Sequence, residues 1–265
     1  GFVLLHFTGL GTALTVALLT GAMLVHERSF DNFHADSERI FRVVTHIEDK
    51  RNGDLTKTSC PATILPSYIR DQKLPVGAST EVIWIDEQIV RLNAERFFKE
   101  KKLLFADTAF FRIFNFKTQS GNAQAMLKNP NMVLLTQTTA ARYFPNENPV
   151  GKRITIDDEL CPNKEFEVAG VIEDAPANSH LQFNMVLSGV SRKTDPHAHW
   201  GWFNSSQMLY LKLDEAQKPE QIASLLSHTA NQSKNKDDEA AYEYLLQPLA
   251  DVHSNMEYGC DASYT

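Results

Sequence analysis

The first 26 residues, GFVLLHFTGLGTALTVALLTGAMLVH, contain no Asp, Glu, Lys or Arg, and the first such residue is Glu27. A helix of that length is roughly 39 Å long at about 1.5 Å per residue. The hydrocarbon core of a bilayer is about 30 Å thick. A secretory signal would carry a basic start and an apolar core of about 7–15 residues. Here the core is longer, the basic start is missing, and no Ala-x-Ala site precedes the charges. A buried helix of a soluble protein is rarely uncharged on every face. The run therefore predicts a membrane helix over residues 1–26, in contact with the lipid bilayer.

Within the run, Gly9, Ala13, Ala17 and Gly21 recur at every fourth residue and form one stripe along the helix. Small residues at that spacing let another membrane helix approach closely. Gly and Ala are also common in membrane helices for no such reason, and the two readings stand side by side. The flank at 26–39 sets Glu27, Asp31, Asp36 and Glu38 against Arg28 and Arg39. Cytoplasmic flanks are rich in Lys and Arg, so the globular part is expected to face outward. Between Val25 and Phe33 there is no Gly, Pro or long polar linker. Glu27, Arg28, Phe30, Asp31 and Phe33 are the candidate stalk junction, expected to be continuous and stiff.

Roughly 240 of the 265 residues follow the helix, enough for one large or two modest cores. The net charge of -7 and the pI near 5.7 leave no basic face for nucleic acid. Cys60, Cys161 and Cys260 are odd in number and form no CxxC, which gives zinc and dithiol chemistry no support. Buried thiols are the default reading, with a Cys60–Cys161 disulfide as the alternative. The chain starts with Gly and ends in GCDASYT, which reads as a piece of a longer protein.

Element order repeats at the two ends of the globular part. IFRVVTHIE (40–48) reads as a strand, PATILPSYIRDQ (61–72) as a helix starting near Leu65, and TEVIWIDEQIV (80–90) as a strand. QMLYLKL (207–213), PEQIASLLSHTANQ (219–232) and AYEYLLQPLADVH (241–253) repeat strand, helix, strand. Two such halves suggest a single ferredoxin-like sheet. Between them lies a mostly β stretch holding Phe105, Phe110, Phe111, Phe114 and Phe116, with a short helix capped by Thr136. The fold class expected is α+β: a transmembrane helix (1–26), then a ferredoxin-like, porter-like α/β subdomain. Its first half with the stalk is 27–92 and its second half 206–265. A β-rich subdomain (93–205) is inserted between them.

HERSFDNFHADSERIFRV directly after a membrane helix resembles the first helix and stalk of MacB-like ABC transporter permeases, in the FtsX/MacB variety of Bacteroidetes-type bacteria. FADTAFFRIFNFKTQSGN, VLLTQTTAARYFPNENPVGKRITID and FEVAGVIEDAPANSHLQFNM resemble, in order, the periplasmic core domain of that family. YLLQPLADVHSN resembles the segment before its second membrane helix. The resemblance implies a permease of the bacterial inner membrane with its globular part in the periplasm. It implies a dimer with a second permease copy and an ABC ATPase partner; a periplasmic adaptor protein is a further partner of the family. ATP is expected on a separate nucleotide-binding subunit or domain, with no cofactor in this chain. Motion driven by ATP would pass to the periplasm for export or release of a substrate. The alternative function is a membrane-anchored periplasmic sensor ectodomain.

No catalytic set is legible. PNENPVGKRIT has Asn146 and Arg153 where a phosphate loop needs Gly and Ser or Thr. Asp195, His197 and His199 lack a further ligand for zinc. NSSQ and NSHL sit in no GxSxG elbow. Asp157, Asp158 and Glu159 read as an acidic turn. Trp200, Trp202 and Phe203 are expected in the core, with an exposed aromatic patch as the other reading. The chain is expected not to be an enzyme.

Overall fold

The computed structural model describes residues 2–258 apart from 86, 122, 159, 160, 193–196 and 256. Helix α1 (Phe2–Glu27) is followed by β1 (Ile40–Asp49), β2 (Asp54–Thr58), α2 (Leu65–Asp71), β3 (Ala78–Ile85), β4 (Gln88–Arg91), β5 (Phe97–Glu100) and β6 (Leu103–Ala106). Next come α3 (Phe110–Ile113), β7 (Thr118–Ser120), α4 (Ala123–Met126), β8 (Met132–Thr136), α5 (Gln137–Tyr143), β9 (Arg153–Asp158), β10 (Cys161–Ile172) and β11 (Met185–Ser188). The chain then forms β12 (Gln207–Lys212), α6 (Pro219–Ser233), β13 (Ala240–Pro248) and α7 (Leu249–Val252).

One sheet runs through the globular part in the order β13-β1-β12-β3-β6-β11-β8-β10-β9-β4-β5, with β2 and β7 as side branches. Its first four strands pair antiparallel throughout, β1 with β13 from Phe41↔Pro248 to Asp49↔Ala240. Two strand–helix–strand halves interleaved in this way make the ferredoxin-like arrangement. The middle of the chain does not build a second sheet. Strand β6 pairs with β3, Ile83 opposite Phe105, so the sheet continues outward. The run 80–90 is two strands, not one. β3 stays with the first four, while β4 pairs β9 at the far end, Val90 opposite Ile156. The strand expected over 241–253 stops at Pro248 and continues as α7.

Local chemistry accounts for the helices. Pro66 and Pro219 lie in first turns, where a missing N–H costs nothing. The Thr136 hydroxyl accepts from the Thr139 N–H and caps α5. Ile222, Leu226 and Ala230 put the buried stripe of α6 against Phe41, Leu209 and Tyr244. On the opposite face, Phe110, Phe114, Phe116 and Phe183 pack in a separate core with Ile40 and Tyr210.

Strand β13 is an edge, and its outer backbone groups at Ala240, Tyr242 and Tyr244 are met by side chains of α6 and of Lys234 just past its end. The Tyr242 N–H donates to Asn231 Oδ1 at 3.1 Å, and its carbonyl accepts from Asn231 Nδ2 at 2.6 Å. The Tyr244 N–H donates to Ser227 Oγ at 2.8 Å. Lys234 Nζ donates to the Ala240 carbonyl.

Candidate functional site at the helix-to-domain junction

Helix α1 leaves its side chains outside the globular core; Phe7 is 71% exposed and Leu10 70%. Its length and composition suit a membrane span. Gly9, Ala13, Ala17 and Gly21 all lie on its exposed surface, and nothing comes within 4 Å of a Cβ built on Gly9 or Gly21. The stripe is therefore open to another helix.

The junction differs from the continuous rod expected of it. The helix ends at Glu27, and the chain turns, with Asp31 at φ 58° and Asp36 at φ 56°. Hydrogen bonds tie this turn into the domain instead. Asp31 is 1% exposed. Its Oδ1 accepts from Ser179 Oγ at 3.1 Å, and its Oδ2 lies 2.8 Å from His180 Nδ1. The His180 N–H also donates to this carboxylate, at 3.2 Å to Oδ1. His180 Nε2 lies 2.9 Å from the Tyr210 hydroxyl on β12. His180 thus joins Asp31 to Tyr210 through its two ring nitrogens. Backbone bonds reinforce it: the Asp31 N–H donates to the Asn178 carbonyl at 2.8 Å, and Asn178 Nδ2 donates to the Ser29 carbonyl at 2.8 Å.

The remaining junction residues flank this chain. Phe30 is buried and stacks on the His253 ring, whose Nε2 is 3.3 Å from Glu27 Oε2. Phe33 is 36% exposed and leans on His34 and Phe116. Arg28 points to solvent, and its carbonyl accepts from Asn32 Nδ2. His34 is buried; its Nδ1 accepts from the Asn115 N–H at 3.0 Å, and Asn115 Oδ1 accepts from the Ala35 N–H at 2.7 Å.

Burial works against charge on Asp31, but the His180 imidazole and its hydrogen bonds outweigh it and hold the carboxyl below the usual range. For His34 burial is the largest influence. It outweighs the attraction of Asp31 and lowers the imidazole to about 4. At neutral pH the junction therefore holds an ionised Asp31 beside a neutral His34.

Sequence reasoning did not identify His180, Tyr210, His34, Asn178, Asn115 or His253. NSHL lies in a stretch, EDAPANSHLQFN (173–184), that is polar along most of its length, so nothing local sets Ser179 and His180 apart. Elsewhere, Trp200 is buried and Phe203 half-buried as expected, whereas Trp202 is 52% exposed. His197 and His199 are exposed, and Asp195 lies outside the described residues. Cys60 is buried, while the Cys161 side chain and Cys260 lie outside the described residues. Asp157 and Asp158 close β9, and Glu159 also lies outside the described residues.

Comparison with known proteins gives a consistent pattern. The family model described as MacB-like periplasmic core domain matches residues 4–229. Among solved structures, a domain of a protein described as a permease from Porphyromonas gingivalis superposes with TM-score 0.66 at 19% identity, covering 81% of this chain and 91% of that one. The periplasmic region of MacB from Actinobacillus actinomycetemcomitans gives 0.53 at 13% identity, covering 85% and 93%. The extracellular domain of the ABC-type transporter YknZ from Gram-positive bacteria gives 0.52 at 12%, covering 78% and 99%. No curated protein matches.

Proposed function

Because this chain belongs to the MacB-like periplasmic core domain family, we propose that it couples movement of a membrane helix to a periplasmic domain during ATP-driven export or release of a substrate. The family makes it the periplasmic domain of an ABC-type permease, a transporter component working with an ATPase partner. The finer reading is ours. α1 crosses the inner membrane, ATP binds on a separate nucleotide-binding subunit or domain, and a second permease copy completes the transporter, with a periplasmic adaptor as a further partner. The division into subdomains at 26, 92 and 205 belongs to this proposal.

The observation that carries it is the buried Asp31–His180–Tyr210 chain. A turn that is only four residues past α1 is tied to β12 in the first four strands. Tilting α1 would then pull on the sheet and not on a slack tether. Gly- and Ser-rich segments behave as random coils, so about six such residues inserted after Glu27 should uncouple hydrolysis from export in the complete transporter while the domain stays folded. ATPase activity and transport are measured together. An unchanged ratio of transport to hydrolysis would refute the coupling role.

The open stripe on α1 supports packing against other membrane helices. Gly9→Leu and Gly21→Leu should insert normally, since Leu favours the membrane, yet weaken assembly. Cross-linking between cysteines engineered on neighbouring helices checks this, and undiminished cross-links would argue against a packing role.

A further inference from the structure

Where α2 and β3 meet α3 there is a cleft of about 370 Å³. Arg70, Lys73 and Arg112 line it. Among the described residues, neither Lys73 nor Arg112 has an ion pair or a side-chain hydrogen bond, and Arg70 makes a long pair with its neighbour Asp71, 3.7 Å from Nε to Oδ1. Two carboxylates also line the cleft, and both are engaged. Glu81 accepts from Arg192 at 2.9 Å and Gln207 at 2.7 Å. Asp107 Oδ1 accepts from the Thr80 hydroxyl and the Ala109 N–H, each at 2.8 Å. Burial raises both carboxyls above their usual range, and Arg70 attracts each of them without a hydrogen bond to either.

Lys73 adds a separate observation. It follows the residue that closes α2 and sits at φ 49°. A left-handed conformation is unfavourable for an L-residue, and glycine usually fills this place. The lysine holds a cation at the cleft despite that cost.

Strand register locates the cleft. Ala78, in its wall, is opposite Lys212. Lys212 Nζ donates to the Ala35 carbonyl at 3.2 Å and pairs with Asp36 at 2.9 Å. The cleft is thus level with the turn that follows α1, at the base of the domain.

We propose that this cleft binds the phosphate of an anionic phospholipid headgroup in the leaflet from which α1 emerges. Guanidinium forks on Arg70 and Arg112 suit a phosphodiester, and Lys73 adds a point charge. The inference rests on α1 spanning the membrane.

The full chain is reconstituted in nanodiscs of phosphatidylcholine, with or without phosphatidylglycerol. Acylation of Lys73 is followed by mass spectrometry, with Lys218, exposed at the start of α6, as the reference. Co-elution with the discs is read first, and a chain absent from them overturns both the membrane reading and the site. Phosphatidylglycerol should slow Lys73 labelling about fivefold relative to Lys218. That protection should vanish in the Arg70→Gln/Arg112→Gln variant. Inorganic phosphate added to phosphatidylcholine discs should protect nothing; protection there would assign the cleft to soluble phosphate and overturn the lipid source. Equal Lys73 reactivity in all discs overturns the site itself.

Discussion

Asp31→Ala is expected to destabilise the globular part by about 2–3 kcal/mol, the cost of leaving buried hydrogen-bonding groups without their partner. The substitution strips acceptors from Ser179 and His180, whose polar atoms are buried with it. It also removes a residue type that tolerates the left-handed turn at position 31. Asp31→Asn keeps an acceptor and that tolerance, so its loss should be distinctly smaller. Urea unfolding of the two variants, with His180→Ala alone and combined with Asp31→Ala, gives the coupling energy directly. Additive single losses would show that the pair does not act as a unit. In the complete transporter, Asp31→Ala should also lower transport per ATP hydrolysed.

Acidification should act on the same region. His34 lies against Asp31, His180, Lys212, Phe114 and Phe116. Its imidazole is lowered from 6.5 to about 4 in the fold. Between those values the unfolded chain takes up a proton that the folded chain refuses, so stability falls as pH falls. The loss is about 3 kcal/mol across the window. Asp31 acts in the same direction at lower pH. Its depressed carboxyl contributes stability that is present above its ordinary value of 3.8 and lost as pH drops through the folded value. His34→Gln should flatten the upper part of the curve and leave the part below about pH 4 in place. A wild-type stability that is level from pH 6.5 down to about 4 would refute the assignment.

The amphipathic and edge-to-edge features of the fold were legible because their patterns are local. Pro219, Ile222 and Leu226 mark α6 in any context, and the β-branched run at 40–48 reads as β1 without its partners. The repeated strand–helix–strand order gave the interleaved four strands. Long-range pairing was not legible. Nothing local says that β6 extends the sheet beside β3, or that β4 leaves its neighbour to join β9. The junction shows the same limit. Phe30, Asp31 and Phe33 stand out beside the apolar run, but the partners that fix Asp31 come from residues 178–180 and 210. Their spacing carries no period, and a buried polar group looks in sequence like any loop residue.

The way α6 covers β13 has a consequence for how these molecules meet. An exposed strand rim recruits other chains by continuing its ladder, the route by which β proteins form fibrils or swap segments. Asn231 answers Tyr242 with one acceptor and one donor, as a neighbouring strand would, and Ser227 does the same for the Tyr244 N–H. A few polar side chains on a helix thus imitate a missing strand and end the sheet there. Along residues 240–244 a copy crowded alongside on a membrane surface finds no open ladder to extend, so this part of the rim is kept out of association between copies.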